Sequence, residues 1–216
     1  MTDFRRDFIR FAIAKKAVSF GRFKTKAGRL SPYFFNSGLF NDGDSLHRLA
    51  QFYAKAILSS GVTFDMLFGP AYKGIPLVSA TAIALSLSGH NAPFAFNRKE
   101  AKDHGEGGDI IGATLRGRVL IIDDVISAGT AVRESCNIIR AHGAAPCGIV
   151  ISLDRMERGA GALSAIQEVQ QEYGLPVISV ATLDDLVDYL KTDPAHAADL
   201  DAVGQYRKQY GVTAHV

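Results

Sequence analysis

Two aspartates, Asp123 and Asp124, stand together at the end of the apolar run Val119–Ile122, followed by Ser127-Ala128-Gly129-Thr130 and a helical pattern from Ala131. A turn without bulky side chains leaves successive backbone N–H groups and two hydroxyls free to close on a phosphate at a helix N-terminus. The paired carboxylates cannot hold that phosphate, because like charges repel; they need hydroxyl donors, or a cation brought by the ligand. Phosphate beside sugar hydroxyls describes a ribose phosphate. A helix cap would account for one aspartate and leave the second without a reason. Other phosphate motifs are missing. The chain contains no Gly-Lys pair for GxxxxGK[ST], Gly159-Ala160-Gly161 lacks the third glycine of GxGxxG, and Gly105-Glu106-Gly107 does not open a helix after a strand.

A phosphorylated ligand needs cations, and a net charge of +2 means they must be concentrated locally. Lys73, in the turn PAYKG after the apolar run 64–68, is placed at the same sheet edge as Asp123. Arg98, Lys99, Lys102 and His104 put four potential cations within seven residues, beside Gly105, Gly107 and Gly108. Such a segment suits a hinged lid that excludes water from a charged reaction, and its bland alternative is a solvated loop. Phe34 and Phe35, after Pro32 in a stretch of strands and turns, put aromatic bulk beside backbone groups, an arrangement that is more often core than site. Arg155, after the run ending at Leu153, could meet a carboxylate bidentately or simply pair with Asp154 or Glu157.

The elements that position these residues read as α/β. Apolar runs at 119–122, 147–153 and 177–181 alternate with helical patterns at 131–142, 164–173 and 183–191, the signature of a parallel sheet covered on both faces. Upstream, Phe4, Phe8, Phe11 and Ala12 mark an amphipathic first helix; 18–40 reads as short strands and turns, 44–60 as a helix, 64–68 and 94–97 as strands, and a further helix starts near Ile75. Residues 98–112 are expected to be a surface loop, and the chain from Pro194 a polar, weakly amphipathic helix and tail. One domain, 1–216, is expected, with a small hood over approximately 1–40 and a core over approximately 41–216.

With 47% apolar residues among 216, disorder is excluded, and 24 basic against 22 acidic residues give no reason to expect a nucleic-acid partner. The apolar stretch 75–87 is shorter than the ~20 residues of a membrane span, and the N-terminus lacks a signal-peptide pattern. Cys136 and Cys147 make neither a disulfide framework nor a zinc cluster, so a reducing cytoplasm is expected. His47, His90, His142, His196 and His215 show no metal-ligand spacing.

VLIIDDVISAGTA resembles the 5-phosphoribosyl-1-diphosphate (PRPP) signature of the type I phosphoribosyltransferases. With FKTKAGRLSPYFFNSGLF at 23–40, LFGPAYKGIP at 67–76 and FNRKEAKDHGEGG at 96–108, nearly the whole chain is similar to the orotate phosphoribosyltransferases of the bacterial dimeric type. Ser127 stands where that group often has Thr, and a hydroxyl is retained. The resemblance implies a mainly parallel sheet flanked by helices, with an N-terminal hood. It further implies transfer of the phosphoribosyl group from PRPP to orotate, giving orotidine 5'-phosphate and diphosphate in pyrimidine nucleotide (UMP) biosynthesis. It assigns Lys26, Tyr72, Lys73, Arg98, Lys99, Lys102, His104, Asp123, Asp124 and the stretch Val125, Ile126, Ser127, Ala128, Gly129, Thr130 and Ala131 to PRPP. Lys26, Phe34, Phe35, Ser127 and Arg155 go to orotate, and Lys102 with the two aspartates to catalysis. Magnesium would travel on PRPP, with Asp123 and Asp124 as outer partners. The same likeness implies a homodimer whose loop 98–112 reaches the neighbouring site, and suggests a cis peptide at Ala71-Tyr72. A transferase for purine or uracil, or a PRPP-sensing regulator, are the rival readings; the second would need a nucleic-acid surface that is not visible.

Overall fold

The computed structural model describes residues 3–25, 27–102, 108–159 and 161–212; Lys26 and His104 lie outside this set, and for residues 3, 101 and 102 only the backbone is described. Helix α1 (Asp3–Ala14) turns Phe8, Ile9, Phe11 and Ala12 into the core, as its spacing requires. Strands β1 (Val18–Lys24) and β2 (Leu30–Phe35) form an antiparallel pair apart from the main sheet. A single 3-10 turn, Ser37–Leu39, follows, its start fixed by the Asn36 side chain accepting from the Gly38 N–H. Helix α2 (Gly43–Ser60) opens on a reciprocal Asp42/Ser45 capping box and stops at Gly61.

The main sheet contains β3 (Met66–Gly69), β4 (Phe94–Lys102), β5 (Gly108–Gly112), β6 (Arg118–Ile122), β7 (Ala145–Asp154) and β8 (Val177–Thr182), in the order β5-β4-β3-β6-β7-β8. All neighbours are parallel except β4 and β5. Helices α3 (Gly74–Leu87), α4 (Thr130–Ala141), α5 (Ala165–Tyr173), α6 (Leu183–Leu190) and α7 (Ala197–Tyr210) complete the chain. Side chains alternate across the strands. Leu67, Leu120, Ile122 and Val150 enter one core with α1, α2 and α6, while Met66, Phe68, Val119, Ile121, Ile149 and Ile151 enter a second with α4 and α5. Both faces are buried, so the central strands are apolar throughout.

The expectation of a surface loop over 98–112 is corrected. Strand β4 continues to Lys102 and β5 returns against it, pairing Asn97 with Ile110 and Lys102 with Gly108. An antiparallel edge needs backbone partners on one side only and tolerates solvated faces, so a charge-rich segment can pair where it could never be central. The apolar side chain of Ile110, packed against the second core, holds the return strand in place. Helix α7 is less peripheral than its polar sequence suggests: Val203 and Tyr206 are buried, and the Tyr206 ring meets Tyr33 of β2 edge-on at 6.5 Å. Among the described residues no helix is long and apolar enough to cross a membrane.

Candidate active site

The strand order places the site. From β3 the chain moves outward to β4 and β5, then returns to lay β6 on the other side of β3, so β3 and β6 flank a topological switch point. Ligands of open α/β sheets bind in the crevice beyond the carboxyl ends of such strands. Here that crevice is a cleft of about 370 Å³ between Pro70–Lys73, after β3, and Asp123–Val132, after β6.

The first wall depends on close backbone approach. A Cβ on Gly69 would lie 2.2 Å from the Gly74 carbonyl oxygen, and one on Gly74 would lie 2.6 Å from the Pro70 ring. Only glycine permits the chain to double back so tightly onto α3. Asn97 of β4 accepts the Ala71 N–H at 2.8 Å, and the Ala71-Tyr72 peptide is cis. Tyr72 is 66% exposed, with the Lys99 ammonium 5.6 Å from its ring centre. Arg98 is partly buried, and its Nη1 has no hydrogen-bond partner among the described residues.

The second wall carries the acids. Both Asp123 and Asp124 are 7% exposed. Asp124 Oδ2 accepts from the Lys73 ammonium at 2.7 Å and from the Ser37 hydroxyl at 2.6 Å, and its Oδ1 takes the Val125 N–H. Asp123 receives no cation directly; its Oδ1 accepts the Asp124 N–H at 2.8 Å. Burial, and next the charge of Asp124, push its carboxyl up to about 7, against the lowering by that N–H bond and by Lys73. One acid is thus held by cation and hydroxyl, and its neighbour is poised to change charge near neutrality. The Tyr53 hydroxyl, 2.7 Å from both the Asp123 carbonyl and Ser152 Oγ, ties this strand end to α2 and β7.

The turn beyond the acids ends at Gly129, whose φ of 70° lies in the left-handed region. A Cβ there would also crowd Val169 at 3.1 Å. No side chain caps α4, so its first N–H groups keep their capacity for an anion at the positive end of the helix. Ser127, Ala128 and Thr130 are exposed around them. Arg133 braces the turn from outside, donating to the Ala128 carbonyl while pairing with Glu172 at 3.1 Å. Neither Ser37 nor Arg133 stood out in the sequence. Arg133 had a local signal, four residues after Gly129 and so facing the same turn; Ser37 had none.

The residues expected to meet a base are divided by the alternation of β2. Phe34 is 46% exposed and stacked on Phe23 with centroids 5.5 Å apart. Phe35 is buried against Phe8, so only its backbone can face a ligand from this position. Arg155 does form the ion pair with Glu157 that sequence allowed, at 2.5 Å, but in a largely buried setting. Its guanidinium lies 4.3 Å from the Tyr33 ring centre and donates to Ser31 Oγ at 3.1 Å. Burial alone would lower its pKa; the electrostatics of the adjoining Tyr33 and the charge and hydrogen bond of Glu157 outweigh this and raise it, keeping the group cationic.

This architecture can be set beside known proteins. The model of the phosphoribosyl transferase domain matches residues 40–170. An orotate phosphoribosyltransferase of Thiobacillus denitrificans is 63% identical over 98% of this chain and 100% of its own length. That of Chromobacterium violaceum is 66% identical over 98% and 99%. The crystal structure of the Francisella tularensis orotate phosphoribosyltransferase superposes with a TM-score of 0.87 at 42% identity, covering 95% of this chain and all of that one. A cleft at the switch point, acids over an amide turn and likeness along nearly the full length agree: the chain belongs to the orotate phosphoribosyltransferase family, with the type I phosphoribosyltransferase fold.

Proposed function

We propose that the chain transfers the 5-phosphoribosyl group of PRPP to orotate, releasing diphosphate and forming orotidine 5'-phosphate, a step of pyrimidine nucleotide synthesis carried out in the cytoplasm. The observation that carries this reading is the placement of Asp123 and Asp124 directly before an uncapped, glycine-turned helix start. The 5-phosphate takes the amides of 127–130 and the hydroxyls of Ser127 and Thr130, while the ribose hydroxyls lie against the acids. Tyr72 and Lys73 line the opposite side, where the diphosphate belongs, and Arg98 and Lys99 are assigned to it with them. Lys26, Lys102 and His104 complete the set of cations; the first and last lie outside the described residues, as does the Lys102 side chain. Phe34, the Phe35 backbone, Ser127 and Arg155 stand on the side of the base.

The C1–diphosphate bond breaks as orotate N1 approaches C1 from the opposite face, so positive charge develops on the sugar and negative charge on the leaving group. The protein contributes position and fixed charge, and a closing arm strengthens each contact by excluding water. Lys102 is assigned to the leaving diphosphate as its chief catalytic cation. Magnesium, which favours oxygen ligands and retains its waters, fits a donor set of two carboxylates already engaged by protein hydrogen bonds: it would be bound mainly by PRPP, with Asp123 and Asp124 as outer partners. Its chemistry there is neutralisation of diphosphate charge.

A homodimer sharing the arm 98–112 is part of this reading. It is supported by α3, which is apolar on every side yet leaves Ile83 and Leu87 at 61% and 75% exposure. The whole chain acts as one unit, the hood supplying the base side. The test is to incubate the protein with PRPP and magnesium and, separately, orotate, uracil, adenine, hypoxanthine and guanine, following diphosphate release. Release with orotate alone is expected; release with uracil or a purine instead would overturn the acceptor.

A further inference from the structure

Arg155, read above as a base-side residue, does not stand alone. Its Nη2 is bound twice, by Ser31 Oγ at 3.1 Å and by Glu157 Oε1 at 2.5 Å. Glu157 is in turn held from two sides: its Oε1 accepts from the Tyr33 hydroxyl at 3.3 Å and its Oε2 from the Tyr206 hydroxyl at 3.1 Å. The side chains of Arg155 and Glu157 are 23% and 14% exposed, and Tyr33 and Tyr206 are buried. The two tyrosine rings meet edge-on, which fixes the distance between β2 and α7 around the carboxylate.

We propose that Glu157, clamped between the Tyr33 and Tyr206 hydroxyls, is the positioning residue that aims the Arg155 guanidinium at the carboxylate of the base, and that α7 thereby takes part in selecting a carboxylated pyrimidine.

An arginine side chain has several rotatable bonds, and a guanidinium discriminates a carboxylate only when its planar fork is held in one orientation. Glu157 and Ser31 occupy both hydrogens of Nη2, which pins the plane and leaves Nε and Nη1 as the donors not engaged by these two partners. The Tyr33 ring under the guanidinium removes the remaining rotation. The anion that fixes the cation is itself fixed by two neutral hydroxyls, so the guanidinium keeps its charge without wandering. None of these groups is needed for phosphate binding, and the nearest of them in sequence to the phosphate turn is Arg155, beyond β7.

This inference rests on the reading of Arg155 as a base-side residue, and the experiment separates the two. Michaelis constants for orotate and for PRPP are measured in Glu157→Ala, Tyr206→Phe and Arg155→Ala proteins. In each, inhibition constants are also measured for two pyrimidines that differ only in the ring carboxylate. Thermal unfolding identifies any variant that fails to fold, and Tyr206→Phe keeps the ring packing in case Glu157→Ala does not fold. The expected result is that Glu157→Ala raises the orotate KM about 10-fold or more and Tyr206→Phe about 3-fold, with the PRPP KM moving less than 2-fold. The preference for the carboxylated inhibitor should fall in parallel. An unchanged preference in Tyr206→Phe and Glu157→Ala, with Arg155→Ala still losing it, overturns the positioning role. If Arg155→Ala also keeps the preference, the base-side reading of Arg155 fails instead.

Discussion

In the proposed function the phosphate is met by one uninterrupted stretch, Asp123 to Ala131, whereas the base is met by a cluster that gathers Ser31 and Tyr33 from β2, Arg155 and Glu157 beyond β7, and Tyr206 from α7. The first works through backbone amides whose direction is set by a single left-handed glycine and a helix start. The second works through side chains that hold one another in place. A backbone cradle is tolerant of most side-chain changes and intolerant of one, while a side-chain clamp is adjustable at each member. On that proposal the common half of the substrate falls to the rigid device, and the half that distinguishes one transferase from another to the tunable one.

Changes at the two ends should separate cleanly, and the largest effect is expected at Gly129. Valine there would face both the left-handed φ and the Val169 side chain. Strain of ~1–3 kcal/mol plus displacement of the turn is expected to lower kcat/KM for PRPP by about 100-fold or more while leaving uracil-versus-orotate preference intact. Steady-state kinetics on the folded variant check it, and an equal loss of base preference would erase the division between the ends.

Asp123 comes next. Its carboxyl is raised to about 7 in the folded protein from an ordinary value of 3.8, so the folded state binds the proton more tightly than the unfolded state does. Stability from this group is present below the unfolded pKa and is lost as pH climbs from about 4 through about 7. Urea unfolding without ligands should show the wild type losing on the order of 2 kcal/mol relative to Asp123→Asn between pH 5 and pH 8. No pH-dependent difference between the two would mean that the acid is not held protonated by its burial.

Ser37 is where the two ends touch, since it follows β2 directly and donates to Asp124. Its replacement by alanine is expected to cost about 1 kcal/mol, a roughly 5-fold rise in PRPP KM, and to change the coupling between the orotate and PRPP sites. Calorimetric titration of each substrate with and without the other reads this coupling. Unchanged coupling would make the ends independent. The smallest effect belongs to Phe34→Ala, which removes a half-exposed ring stacked on Phe23: unfolding should shift by less than ~1 kcal/mol, with the orotate KM changing more than the PRPP KM.

The same division decides what could be read from sequence. The strand 119–122, the acids and the turn 127–130 form a contiguous pattern in which local conformation and chemistry coincide, so both the element and its purpose are legible. The alternation of apolar runs with helical patterns likewise announces the doubly covered sheet. Ser37 and Asp124 are 87 residues apart, Tyr33 and Glu157 124, and Tyr206 and Glu157 49, and no periodicity links such partners. The charges of 98–102 and 108–112 hide these strands for another reason: they signal exposure, which an edge strand and a loop share. Phe34 and Phe35 needed the face of β2 on which each falls, which depends on register within the hood.

The central claim is that a phosphorylated ribose lies across the sheet edge, its phosphate in the amides of 127–130 and its hydroxyls at the acids. Backbone amide chemical shifts recorded during titration with ribose 5-phosphate test it directly. Saturable shifts concentrated at residues 125–131, with smaller ones at 71–73 and none around Tyr206, are the predicted result. Saturation with the amides of 127–130 unmoved would contradict it.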